Sequence, residues 1–232
     1  GVAVADNHDS QIKSSLPGLT LLAEQGHADA QYQLALLYRN GMGVPQSDKT
    51  SIKWGIKAAE QGHARAQYGL GYQYDNGRGV QQSDKTAVKW YTLAAEQGDS
   101  DAQSQLGVMY KAGQGVKKND STAVKWYIKA AEQGNAGAQY NLGVMYEHGE
   151  GVPMNYRAAV KWYILAAQQR HADAVKWNAN AAEQGYAPAQ SLLGYNYANG
   201  VGVPEDDKTA VKWYTLAAEQ GHTDAQYQLG WM

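Results

Sequence analysis

The sequence contains no cysteine and no phenylalanine, and only 5 of its 232 residues are proline. Without cysteine there is no disulfide, no thiolate zinc site and no cysteine nucleophile. Neither sign of charge dominates: 20 Lys+Arg stand against 22 Asp+Glu, a formal net charge of -2. Nucleic-acid-binding domains usually carry a basic excess on one face, so a nucleic-acid partner is not expected. No apolar run approaches the roughly 18–20 residues that cross a bilayer. What is present in excess is glycine, 26 of 232 residues against a typical ~7%. Tyrosine, at 17, and tryptophan, at 7, supply the missing aromatic bulk with polar tips.

Self-comparison accounts for both excesses. AAEQG begins at Ala58, Ala94, Ala130, Ala181 and Ala217, with LAEQG at Leu22 and AAQQR at Ala166. The ends of these units, Gly26, Gly62, Gly98, Gly134, Arg170, Gly185 and Gly221, are spaced 36, 36, 36, 36, 15 and 36 residues apart. AVKW recurs in step with them, and SIKW at 51–54 is a variant. A fixed period of this length marks a repeat architecture. The units are 27–62, 63–98, 99–134, 135–170 and 186–221, preceded by a half unit at 13–26 and followed by a partial one at 222–232. A shortened unit, 171–185, interrupts them.

Each unit reads as two helices. In 63–98, Ala66, Leu70, Gly71 and Tyr74 lie on one helical stripe, which predicts helix A over about 64–75. Asn76, Gly77 and Gly79 follow; glycine at a helix end takes the left-handed conformation without a Cβ penalty. Asp84 is the expected N-cap of helix B, which runs to Gln97 with Ala87, Trp90, Tyr91, Ala94 and Ala95 inward. Trp54, Trp90, Trp126, Trp162 and Trp213 recur at one packing position and are expected in the core. One hairpin cannot bury its own apolar stripe, but stacked neighbours can.

The joint pattern Leu-Gly-x-x-Tyr, Gly-x-Gly-Val, Trp-Tyr and Ala-Ala-Glu-Gln-Gly resembles the Sel-one-like repeat (SLR), a cousin of the tetratricopeptide repeat, over nearly all of residues 11–232. The resemblance implies an all-α fold: a right-handed α/α superhelical solenoid of antiparallel helix pairs. It implies an adaptor that binds a protein or peptide, with no shared catalytic residues and no cofactor. Many bacterial members are exported and take part in host contact or envelope assembly. Some carry paired cysteines in each repeat; this sequence carries none.

Departures from the pattern carry expectations of their own. Pro17 and Gly18 stand where other units have Lys-Trp, so the first helix should start near Leu16 and cap the array. Gly55 replaces the tyrosine found at Tyr91, Tyr127, Tyr163 and Tyr214, which should weaken packing between the first two repeats. Arg170 replaces a helix-ending glycine, so its turn should differ. The unit 171–185 joins the front of a helix A to the body of a helix B. It should form one helix, about 172–184, with Trp177 in a core site and a switch of face in the array.

No catalytic or metal site is expected. His27, His63, His171 and His222 share one repeat position, and metal ligands must converge, whereas repeat-equivalent residues are separated by a whole unit. His8 and His148 have no partner pattern. Loops such as NGMGVP lack the strand and the Gly-Lys-Ser/Thr ending of a phosphate loop. Glu60, Glu96, Glu132, Glu183 and Glu219 recur at a helix end and are expected to be exposed. Chemistry on cell-wall or β-lactam compounds, proposed for some relatives, finds no supporting nucleophile.

A binding surface is the stronger expectation. In tetratricopeptide arrays helix A lines the concave face, and by that analogy the groove would present Tyr32, Leu36 and Arg39 in the first repeat. The second would supply Arg65, Tyr68, Tyr72, Asp75 and Asn76; the third, Asp101, Ser104, Val108 and Lys111; the fourth, Tyr140, Val144, Glu147 and His148. Ser191, Tyr195 and Asn199 follow, then Tyr227 and Trp231. Tyrosine offers large contact area at low entropic cost. Val2-Ala3-Val4-Ala5 before Asp6 resembles the end of a signal peptide, so residues 1–12 read as a tail and the protein as periplasmic or secreted. Self-association through the solenoid ends, as a structural spacer, is the alternative.

Overall fold

In the computed structural model the structure describes residues 16–169 and 172–232, with side chains described throughout except at 156–157 and 172–175. The tail 1–12, His8, the turn at Arg170 and His171 lie outside the described residues. The described residues form thirteen α-helices and no strand, an all-α solenoid. The chain divides into two compact units, one ending at Lys118 and one starting at Asn119. The first holds α1 (Leu16–Glu24), α2 (Ala28–Asn40), α3 (Asp48–Glu60), α4 (Ala64–Asn76), α5 (Asp84–Glu96) and α6 (Ser100–Ala112). The second holds α7 (Asp120–Glu132), α8 (Ala136–His148), α9 (Tyr156–Gln168), α10 (Ala172–Glu183), α11 (Ala187–Asn199), α12 (Asp207–Glu219) and α13 (Thr223–Leu229).

Local chemistry sets the helix ends. In the full repeats each helix A ends on a glycine in the left-handed region, as at Gly77 with φ 64°, where a Cβ would be penalised. The helix B N-cap is one residue earlier than expected. Ser83, not Asp84, is extended and accepts a hydrogen bond from the Thr86 amide. Ser47 and Asn119 do the same for Thr50 and Thr122. Asp84 instead occupies the first helical turn, where its charge faces the positive end of the helix dipole. Helix A is capped from the side chain at His63, Asp99 and Asn135.

The core differs from the expected one in which aromatic it buries. Tyr91, Tyr127, Tyr163 and Tyr214 are fully buried, whereas Trp54, Trp90, Trp126, Trp162 and Trp213 are only half-buried. Tyr91, Tyr163 and Tyr214 reach the backbone of the helix A in their own repeat. A Cβ at Gly71 would come within 2.5 Å of the Tyr91 ring, at Gly143 within 2.8 Å of Tyr163, and at Gly194 within 2.9 Å of Tyr214. The Leu-Gly step is thus a seat for a ring. The adjacent tryptophans cover the edge of the helix layers; Trp90 packs on the Ile52–Ala59–Leu70 cluster. Lysine Nζ atoms stand over their outer faces, 4.6 Å from the centroid for Lys57 on Trp54 and 4.5 Å for Lys129 on Trp126, a geometry the ring quadrupole favours.

The first repeat inverts this pair. Ala35 stands where the seat glycine would be and Gly55 where the tyrosine would be; both are buried. The expected weak packing reduces to a hollow of about 20 Å³ beside Ala35, Gly55 and Leu70. Tyrosine at 55 would meet the Ala35 methyl, so the two departures compensate. Gly55→Tyr alone will therefore destabilise. Ala35→Gly/Gly55→Tyr together will recover the loss, with a coupling of ~1–3 kcal/mol in a urea-unfolding double-mutant cycle; additive effects would refute the pairing.

A polar relay also runs through the packing. Gln67 is buried, its Nε2 donates to the Ala59 carbonyl at 3.0 Å, and its Oε1 accepts from Gln97 Nε2 at 2.7 Å. Gln31 and Gln61, Gln139 and Gln169, and Gln190 and Gln220 repeat the pairing, with the buried glutamine donating to Ala23, Ala131 and Ala182. Each relay ties a helix A to the end of the preceding helix and to its own helix B. Removing one partner leaves buried groups unpaired. Gln67→Leu is expected to cost ~2–3 kcal/mol in chemical denaturation, and a neutral effect would show the relay to be dispensable.

The shortened unit forms the single helix α10, as its sequence predicts. It packs between α9 and α11, and α9 itself touches α11 through Ala166, Ala167 and Leu192. Trp177 is half-buried rather than fully core. It stacks on Tyr163 with centroids 4.1 Å apart and donates from Nε1 to Glu147 Oε1 at 3.4 Å. Asn178 occupies the position of the buried tyrosines; it too is buried and donates to the Ala189 carbonyl at 3.3 Å.

Candidate protein-binding surface

In the first unit, the helix A positions read as a groove come from α2, α4 and α6. Tyr32 is half-buried, its ring 4.5 Å from that of His63. His63 itself accepts from the Ala66 amide through Nδ1 and places Nε2 3.1 Å from Asp29. The other described members of that histidine position, His27 and His222, make no such side-chain cap. Arg65 is exposed, with Nη1 2.9 Å from Asp101 and Nε 3.4 Å from Asp99. The hydrogen bond that Arg65 donates to Asp101, followed by the Asp99 charge, holds the guanidinium above its ordinary range. Tyr68 is half-buried, 5.8 Å from the Tyr91 ring, and Tyr72 is exposed. Burial, then the Asp101 charge, raises the Tyr68 phenol. Arg39 and Lys111 are half-exposed, and Arg39 Nε lies 3.5 Å from Asn40 Oδ1.

Asp75 is less free than a groove residue would be. It is half-buried and accepts from the Tyr91 hydroxyl at 3.4 Å. Burial, followed by the Asp84 charge, raises its carboxyl. In the second unit Glu147 occupies the same repeat position. It accepts from the Tyr163 hydroxyl at 2.7 Å as well as from Trp177. Both acids therefore spend part of their carboxylate on the repeat's own tyrosine, a role the sequence reading did not assign. Tyr140 is half-buried beside Tyr163. Tyr195 and Tyr227 are exposed, the latter 6.1 Å from Trp231. Ser191, read as a groove position, is buried.

The second unit also contains a cavity of about 520 Å³ between α9, α11, α12 and α13. Of its wall the sequence pointed only to Ser191 and Tyr195. Three signals were available, because Leu192, Asn196 and Val201 each break the repeat pattern. Among the described residues no cluster of three or more His, Asp or Glu could hold a metal. No helix there is long and apolar enough to cross a membrane.

The Sel1 repeat family model matches residues 28–63, 64–99, 100–135, 136–171 and 187–222. The chain belongs to the Sel1 repeat family. Among solved structures it is similar to a protective antigen present in uropathogenic Escherichia coli strains that displays an SLR fold. Identity is 36% and the TM-score 0.67, over 94% of this chain and 51% of that one. It is also similar to a Sel1 repeat protein from Oxalobacter formigenes, at 34% identity and a TM-score of 0.64, over 94% of this chain and 84% of that one. The chain thus spans about half the length of the Escherichia coli antigen. Comparison with curated protein sequences returns no match.

The buried phenols give the surface a pH limit. Burial raises Tyr91, Tyr127 and Tyr214 above the ordinary phenol range. A raised folded-state value means stability fully present below the unfolded value, about 10, and lost as pH rises past it. The urea midpoint should fall above that pH, and Tyr91→Phe, which keeps the ring, should flatten the fall. Tyrosinate absorbance developing at full helicity near the ordinary value would contradict this.

Proposed function

We propose that this chain is a protein-binding adaptor that holds a protein or peptide partner against the helix A faces of its repeats. One observation carries the reading. The positions that cap, seat and link the helices recur from repeat to repeat, while the helix A surface varies and leaves tyrosines such as Tyr72, 37% exposed, and Tyr195, 46% exposed, facing outward. A frame that does not change, carrying a surface that does, suits recognition rather than chemistry. The reading is non-catalytic and requires no cofactor. Membership of the Sel1 family, whose fold is commonly an interaction scaffold, supports it. The likeness to an antigen of uropathogenic Escherichia coli supports placement outside the cytoplasm, in the periplasm or secreted, with a role in host contact or envelope assembly.

The test begins with cross-linking from Lys111 in intact cells and in secreted fractions, to identify a partner that is then purified. Tyr72→Ala should weaken binding of that partner by at least about ten-fold, with helicity and melting temperature unchanged. Tyr68→Ala/Tyr72→Ala should weaken it further. Unchanged affinity in both variants would overturn the groove reading.

A further inference from the structure

We infer that the cavity beside the shortened unit is a second recognition site, which takes an extended peptide segment by pairing with Asn196. The site lies wholly within the second unit; its wall shares Ser191 and Tyr195 with the candidate surface, but the argument rests on Asn196 and not on the groove reading. Its walls include Ile164 of α9, Leu192 and Asn196 of α11, Val201 after it, Tyr214 of α12 and Asp224 of α13. Both helices of one repeat, the second helix of an earlier repeat and the first helix of the following unit therefore line one cavity. The shortening of the unit to 15 residues brings them together by leaving a single helix between α9 and α11. At about 520 Å³ it falls within the roughly 300–1,000 Å³ of small-ligand and short-peptide sites.

Asn196 carries the chemical argument. The equivalent positions are Leu37, Gln73, Met109 and Met145, and the two methionines are core residues, buried to 1% and 0% exposure. Asn196 is equally buried, at 0%, yet neither its Oδ1 nor its Nδ2 has a hydrogen-bond partner. A buried amide with both ends unpaired is costly, and native folds rarely keep one without a use. Packing alone is already served by methionine. The substitution also does not stand alone. Leu192 is apolar and buried where other repeats have Gln33, Gly69, Gln105 and Asn141; Val201 is apolar and buried where they have Met42, Arg78, Gln114 and Glu150.

The unpaired amide defines the occupant. It offers an NH₂ donor group and a carbonyl acceptor side by side. In an extended chain the N–H and C=O of a single residue point the same way, as in the bonded pairs of an antiparallel ladder. One such residue satisfies both atoms of Asn196. Ile164, Leu192 and Val201 supply apolar contact for its side chains, and the exposed Asp224 carboxylate at the rim suits a basic one. Ala198 stands where Asp75 and Glu147 receive tyrosine hydroxyls in other repeats, so the Tyr214 hydroxyl is not committed to that acid. Asn196 has no exposed surface, so pairing with it requires the side chains over it to shift.

The test is a titration of the full chain with acetyl-Leu-Lys-Leu-amide, followed through the Asn196 side-chain NH₂ resonances. These should shift saturably. The same peptide with every backbone N–H methylated should bind at least about ten-fold more weakly. Asn196→Met should lose binding by a similar factor while melting no lower than the parent, since methionine is the core residue of the sister repeats. Tyr72→Ala, in the first unit, should bind the peptide as the parent does, which separates this site from the groove. Asn196 resonances that do not move at millimolar peptide would overturn the assignment. So would equal binding by Asn196→Met or by the methylated peptide, and so would an equal response to N-methylacetamide, which would mark a site for small amides.

Discussion

The buried glutamine relay is the constraint on which the array depends. A glutamine in a core is tolerated only if both ends of its amide are paired. Here one end takes the carbonyl of the preceding helix, at Ala59 for Gln67, and the other takes Gln97 from the same repeat. The bonds demand a fixed depth and rotation of three successive helices, which apolar contact alone does not specify. The alanines at the helix ends follow from it: Ala58, Ala59, Ala94 and Ala95 are buried to 2% or less and are small enough for a glutamine to reach a main-chain carbonyl. The seat glycines then set the remaining contact, where a tyrosine ring lies against bare backbone.

Much of this frame was legible in the sequence. The 36-residue period, the Gly-x-Gly stops and the apolar stripes led directly to paired helices, and the joined halves of 171–185 led to one helix. Three features were not read correctly. Trp90 was expected in the core beside Tyr91, but only Tyr91 is fully buried; a stripe of inward positions does not say which of two adjacent rings faces the glycine. Gln67 and Gln97 recur as faithfully as any core residue, yet the sequence pattern assigned them no role. Gly55 looked like a defect because its partner Ala35 was not considered with it. In each case the missing information is a pairing between helices, which a pattern along one chain does not display.

The candidate surface was legible only in part, for a related reason. Counting from the Leu-Gly step does find exposed positions, such as Tyr72 and Arg65. It does not reveal that Asp75 and Glu147 are drawn inward by the hydroxyl of the buried tyrosine, or that Arg65 is neutralised by Asp99 and Asp101. The charged positions of the second and third repeats are largely answered within the fold. What they leave for a partner is aromatic area and amide-rich helix surface. That is consistent with the near-neutral charge of the whole chain and with contact by shape rather than by long-range attraction.

The shortened unit shows how such a frame absorbs a deletion. Ala181 and Ala182 are retained in α10 and receive the next helix through Gln190, so the array continues on its C-terminal side. The unit has no glutamine of the helix A kind, and Gln184 pairs within its own helix with Asn180. Asn178 replaces the buried tyrosine and takes a carbonyl of α11 instead. The helix therefore keeps the half of the relay that reaches forward and lacks the half that would bind its own partner helix. An array built from nearest-neighbour contacts tolerates this, because only the forward half is needed to place the next repeat. The faces left without a regular partner are those where Leu192, Asn196 and Val201 depart from the pattern. These departures leave the relay itself intact, since Gln190 still pairs with Ala182 and Gln220.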